Sequence, residues 1–246
     1  MRKHLLKDYE RIITSLPEKD QYLLSDLLIP DLLIEEEGKL QIYYATHNEF
    51  INIEAKILII GITPGWVQME KSIRTARKCL IEGRSLEETA RICKKESRFY
   101  GTMRMNIINM LDELRLHEYL GMKNNKELFN DHCPYLHTVS LIPYPVFVNR
   151  KNYTGHSPKI INSKFLMKYV NLTVEKDLKP LKRPLIVPLG RAVEEVLLSL
   201  IGEGKIDREQ CLVGFPHPSG ANGHRLKQFK EGKERMTNII DTYFNK

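Results

Sequence analysis

The chain has little that would tie it to a membrane, to an oxidising compartment or to a structural metal. Its longest apolar stretches, such as "ILIIGI" at 57–62, are far shorter than the roughly 20 residues a bilayer span needs. The opening segment, "MRKHLLKDYERIITSL", carries charges throughout and lacks the uninterrupted apolar centre of a secretory leader. It is expected to form an amphipathic helix, and the chain to stay in the cytoplasm. Cysteine is scarce: Cys79, Cys93, Cys133 and Cys211 lie far apart with no Cys-x-x-Cys pair. That spacing disfavours a zinc site and predicts free thiols. Tryptophan is confined to Trp66, and residues 67–98 hold no aromatic ring of Phe, Trp or Tyr. Internal repeats and low-complexity tracts are missing too.

What remains is the balance of a globular protein. With 42% hydrophobic and 28% charged residues, 246 residues can bury one substantial core, so a single main domain with decorations is expected. Net charge is +7, unevenly spread. Residues 1–50 hold 6 basic against 10 acidic side chains, whereas 71–104 hold 10 against 4 and 150–183 hold 9 against 2. A phosphate backbone would be drawn to the two basic stretches if they share a face, and repelled by the N-terminal part.

Four short apolar runs punctuate the chain: "AKILIIGI" (55–62), "LHTVSLI" (136–142), "PLIVPLG" (184–190) and "CLVGF" (211–215). Each is too uniformly apolar for a half-exposed strand, which suits parallel strands covered on both faces. Between them lie segments of helical period, such as "RAVEEVLLSLI", where Val193, Val196, Leu197 and Leu200 share one side. Strands alternating with helices predict an α/β sandwich around a mostly parallel sheet, with sites gathered at the carboxyl ends of strands. Residues 1–50, with helices broken at Pro17 and Pro30 and an extended piece near "KLQIYY", are expected to form an N-terminal helical extension packed on an α/β domain spanning 51–246.

Every apolar run ends in residues that suit a site. The first ends in "GITPGW", the second in "IPYP", the third in "LGRA" and the fourth in "GFPHPSGANGHR". Prolines beside glycines in the last stretch fix a path while allowing a sharp turn, the build of a loop that presents something. "GITPG" lacks both the Lys-Ser/Thr of a phosphate loop and the three-glycine dinucleotide spacing, which weighs against a small-molecule nucleotide fold.

Taken in order, "GITPG" (61–65), "SRFYG" (97–101), "SLIP" (140–143) and "HPSG" (217–220) resemble the motifs of the uracil-DNA glycosylase superfamily, closest in look to its single-strand-selective monofunctional branch. The likeness covers about residues 55–240. It implies a three-layer α/β/α sandwich around a four-stranded mostly parallel sheet, a groove along the strand ends, no metal or organic cofactor, and a monomer that binds DNA with the damaged base flipped out. The reaction implied is hydrolysis of the N-glycosidic bond of uracil or a related base, which requires a water to be placed and charge on the departing base to be stabilised.

By that resemblance His217 donates a hydrogen bond to the leaving base, and Thr63 holds the water. Gly61, Ile62, Pro64, Gly65, Trp66, Tyr100 and Ser140 line the substrate pocket, while Ser219, Gly220, Ala221, Asn222, His224 and Arg225 contact DNA, with Leu226 as a possible wedge. Three positions depart from the family. Thr63 stands where relatives have Asp, Asn or Glu, and a threonine hydroxyl cannot act as a base near neutral pH. Ser140 stands where an Asn commonly reads the uracil edge. The stacking aromatic expected soon after the first motif is missing, leaving Trp66, Phe99 or Tyr100 to replace it. These departures raise an alternative, a catalytically weak or inactive DNA- or base-binding protein on the same scaffold.

Overall fold

The computed structural model describes residues 4–99, 101–130 and 133–245. In chain order the strands are β1 (Leu33–Glu37), β2 (Leu40–Tyr43), β3 (Ile57–Gly61), β4 (Leu136–Ser140), β5 (Val146–Val148), β6 (Lys151–Asn152) and β7 (Leu185–Pro188). The helices are α1 (Leu6–Ser15), α2 (Leu24–Leu27), α3 (Trp66–Ile81), α4 (Leu86–Ser97), α5 (Thr102–Glu113), α6 (Leu116–Tyr119), α7 (Lys164–Thr173), α8 (Arg191–Gly202) and α9 (Arg225–Phe244). The mixed α/β class expected from the alternating pattern is present, with one parallel and one antiparallel sheet. Among the described residues no helix is long and apolar enough to cross a membrane.

The chain divides into two units that it enters repeatedly. The first comprises Met1–Ile51, Ile62–Arg98 and Ser140–Lys179. Its antiparallel sheet has the order β1-β2-β5-β6. Leu40 pairs with Val148 and Ile42 with Val146, so the N-terminal segment supplies half of this sheet in addition to its helices. Helices α3 and α4 form a hairpin, with α4 capped by the Ser85 side chain, which accepts the Glu88 amide at 3.2 Å. Tyr9 of α1 stacks on Tyr44 with ring centroids 3.7 Å apart and planes 4° from parallel. Such ring pairs add about 0.5–1.5 kcal/mol beyond the area they bury.

The second unit comprises Asn52–Gly61, Phe99–Val139 and Pro180–Lys246. Its sheet has the order β4-β3-β7, and β3 pairs parallel with β7 in the register Ile57 to Leu185 through Ile60 to Pro188. Alternate residues Ile57, Ile59, Leu185 and Val187 join a core that includes Ile107 and Leu111 of α5 and Phe229, Met236 and Ile240 of α9. This is the period-2 and period-3.6 matching that the uniformly apolar runs imply.

The fourth expected strand is not formed, so the sheet has three strands in place of four. The segment at 211–215 makes a single parallel bridge between Cys211 and Ile186, with the Leu212 amide donating to the Ile186 carbonyl at 2.8 Å. The next amide turns away: Val213 N–H donates to the Cys211 carbonyl at 2.9 Å, and Gly214 adopts φ of 95°. A backbone folded onto itself there has no donors left in line with β7. The four cysteines are free thiols, with Cys79, Cys93 and Cys211 buried.

Candidate functional site

In the first unit the loop after β3 runs into α3. Thr63 Oγ1 donates to the Tyr144 carbonyl at 2.6 Å and accepts the Val146 amide at 3.1 Å. Its only proton is therefore committed to the backbone entering β5, and one lone pair remains for any water. Ser140, 5% exposed, ends β4, and its carbonyl accepts the Thr173 hydroxyl at 3.4 Å. Two residues on, the Ile142 amide donates to the Ile62 carbonyl at 3.0 Å, so the chain beyond Ser140 runs beside the start of the Thr63 loop.

Gly65 caps α3, and Gln68 reaches back so that its Oε1 accepts the Gly65 amide at 3.0 Å. The same amide group reaches a buried histidine: Gln68 Nε2 lies 3.3 Å from His47 Nε2, and His47 Nδ1 lies 2.6 Å from Ser97 Oγ. Ser97 donates its own proton to the Cys93 carbonyl at 2.6 Å, so it must accept from His47 Nδ1–H, and His47 Nε2 must accept from Gln68. That chain of donors is consistent only with a neutral ring. Burial, and secondarily the Lys94 charge, push the His47 pKa well below its ordinary 6.5. Trp66, half-buried at the first position of α3, donates its amide to Asn152 Oδ1 at 2.9 Å.

In the second unit His217 is half-buried in the loop before α9. Its Nδ1 accepts the Ser219 amide at 3.3 Å, which puts the proton of the neutral ring on Nε2 and makes that nitrogen a donor. The loop is tied down at several points. Asn106 of α5 donates to the Pro218 carbonyl at 2.8 Å, Asn222 to the His217 carbonyl at 3.1 Å, and Arg225 to the Ser219 carbonyl at 3.1 Å. Gly190, at φ of 88°, lies so close that a Cβ there would meet His217 Cβ at 2.7 Å. Beyond these ties the loop is open: Gly220, Ala221 and His224 are exposed, and Leu226 is 70% exposed.

Thr63, Pro64, Gly65, Trp66 and Ser140 thus fall in the first unit, with Gly61 and the segment from His217 to Arg225 in the second. Tyr100 lies outside the described residues. Phe99, offered as a stacking ring, is only 8% exposed and belongs to the core of the second unit with α5 and β3. Asn222 and Arg225, expected to meet DNA, also use side-chain donors to hold their own loop.

Comparison with known proteins gives one full-length relative, the uncharacterized protein YoxB of Bacillus subtilis strain 168. It is 41% identical over 244 residues, covering 99% of this chain and 94% of the relative. This chain belongs to the YoxB family. No family model and no solved structure matches it. The relative's name assigns no activity, so the chemistry of this YoxB-family chain has to come from its own residues. Sequence reasoning missed His47, Gln68, Asn106 and Asn152, none of which carries a local signal, whereas Gly190 lies in the "LGRA" that ends the third apolar run.

Proposed function

We propose that this protein acts on DNA by hydrolysing the N-glycosidic bond of a deaminated or otherwise damaged base. The observation that carries the reading is the His217 ring. It is held by a backbone amide on Nδ1, so Nε2 is the donor, in a loop fastened from α5 and from its own C-terminal end. A pre-oriented neutral donor of this kind suits an oxygen that becomes anionic as a base departs, and such donors are worth about a hundred- to a thousand-fold in rate. In the reaction the bond from sugar C1′ to the base nitrogen breaks with both electrons leaving on the base. Oxygen of a water then bonds C1′, its displaced proton passes to solvent, and a free base and an abasic site result. The reading places Thr63 and the Gly61–Gly65 loop at the water, Ser140 at the base edge, and Ser219–Arg225 with Leu226 at the DNA. It also carries a three-layer α/β/α arrangement, a monomer working in the cytoplasm, and no metal or cofactor.

A second reading is favoured by Thr63. Its hydroxyl proton is taken by the Tyr144 carbonyl, so it neither donates to a water nor removes a proton from one. A binding protein that kept the scaffold and lost the reaction would tolerate this. The test is release of base from oligonucleotides containing uracil, hypoxanthine or xanthine, read as strand cleavage after alkali. Cleavage that falls at least a hundredfold in His217→Ala is the expected result. Tight DNA binding without cleavage of any lesion selects the second reading.

A further inference from the structure

The hairpin made by β5 and β6 carries a feature that neither sheet packing nor the candidate site accounts for. Phe147 pairs with Asn152 and Val148 with Lys151, leaving Asn149 and Arg150 as a two-residue turn with φ of 49° and 62°. Such turns demand two left-handed residues and are dominated by Asn followed by Gly. An arginine in the second position is strained by about 1–2 kcal/mol relative to glycine. Two other arginines among the described residues are left-handed, and both meet carboxylates: Arg115 binds Glu118 at 2.7 Å, and Arg183 binds Asp207 at 2.9 Å. Arg150 is exposed and makes no ion pair among the described residues, and the same holds for Lys151 beside it. Other basic residues of the first unit are neutralised instead: Lys168 by Glu35, Lys179 by Glu175, Arg74 by Glu70 and Lys71 by Glu96.

The hairpin is also attached to the candidate site. Asn152, next to Lys151, accepts the Trp66 amide at 2.9 Å, and its side-chain amide lies 3.5 Å from where a Cβ on Gly65 would stand. Two uncompensated cations are thereby held at a set position relative to the Thr63–Trp66 loop.

We propose that the tip of the β5–β6 hairpin is a nucleic-acid phosphate clamp, with Arg150 and Lys151 gripping the backbone of the strand whose base enters the Thr63 loop. This rests on the reading of the protein as one that acts on DNA. The planar guanidinium of Arg150 offers two parallel donors to one phosphate, and Lys151 supplies a point charge to its neighbour. Strain retained at an exposed turn is accounted for if the side chain it presents is needed there.

The test is a salt titration of binding between the full chain and a fluorescein-labelled single-stranded oligonucleotide carrying one uracil. The double variant Arg150→Gln, Lys151→Gln is expected to bind several-fold more weakly. Its plot of log Kd against log salt should be shallower by about 1.4, the share of two phosphate contacts on a single strand. Arg150→Gly keeps the turn and removes the strained residue. It should lower the slope by about 0.7 while melting no lower than the parent, so a folding defect cannot imitate the effect. Parental slope and affinity in the double variant overturn the clamp and leave the glycosylase reading standing. A parent chain that shows no salt-dependent binding overturns both. Slopes that shift as stated in a protein that releases no base uphold the clamp and refute only the chemistry.

Discussion

His47 shows how a residue remote from any motif can hold the side chain that caps a site loop, since Gln68 both reaches its ring and accepts the Gly65 amide. Its ring is 3% exposed, and its neutral form is required by the donors on both sides, Gln68 on Nε2 and Ser97 on Nδ1. The groups that bear on its charge act against protonation, burial first and the Lys94 ammonium second. In the unfolded chain the same imidazole takes up a proton near its ordinary 6.5. Below that pH the unfolded state binds more protons than the folded one, so stability rises with pH and is lost as pH falls through 6.5 toward the depressed folded value. Urea unfolding is expected to show this loss, up to about 1.4 kcal/mol per pH unit from this one group. His47→Gln should be less stable at pH 7, yet its stability should fall less steeply between pH 7 and pH 5. Parallel pH profiles for parent and variant would show that His47 is not the group responsible. Thr63 and His217 are candidates because local motifs announce them. His47 is announced by none: its partners Gln68 and Ser97 lie 21 and 50 residues away, and no spacing in the sequence connects them. Asn152 and Asn106 are hidden for the same reason, meeting Trp66 and Pro218 across 86 and 112 residues.

Elements were legible where their pattern was long enough to have a period. The apolar runs that became β3, β4 and β7 and the one-sided stripe of α8 could be read directly, because burial on both faces or one face leaves a distinct spacing. Strands of three and two residues, such as β5 and β6, are too short to show alternation, so their hairpin emerged only in three dimensions. The run at 211–215 misled in the opposite way, apolar enough for a strand yet turned aside by Gly214 after one bridge. Its value lies in where it delivers the chain, since Phe215 accepts the Gly190 amide at 3.1 Å just before the His217 loop. Here the start of α8 and the loop before α9 pack backbone against backbone. Gly190→Ala would place a methyl 2.7 Å from His217 Cβ and 3.3 Å from its Cα, on a residue whose φ of 88° L side chains avoid. Neither neighbour is the end of a flexible side chain, so the loop must shift. A loss of roughly 2–3 kcal/mol in urea unfolding is expected, and base release should fall with it because His217 moves. A variant with parental stability and activity would mean that the loop is not held by this contact.

At the scale of the molecule, the chain passes between its two units after Ile51, Gly61, Arg98, Val139 and Lys179. Length and composition predict one core with decorations, and the breaks at Pro17 and Pro30 mark residues 1–50 as an N-terminal helical extension. Contacts inside the first unit bind that segment more closely than a decoration requires. The Tyr22 amide donates to Glu70 at 3.2 Å, Arg77 Nε donates to the Leu16 carbonyl at 2.7 Å, and the Tyr144 hydroxyl donates to the His4 carbonyl at 3.0 Å. β2 lies between β1 and β5, so removing residues 1–50 would also leave β5 with an unpaired edge and take away α1, which packs on α3. Large apolar surface newly exposed beside a bare strand edge favours association over folding. A protein consisting of residues 51–246 is therefore expected to bind a hydrophobic dye, to lose the sharp thermal transition of the full chain, and to aggregate on purification. Cooperative melting of that fragment at a temperature near the full chain's would instead show that the first 50 residues are dispensable to the fold.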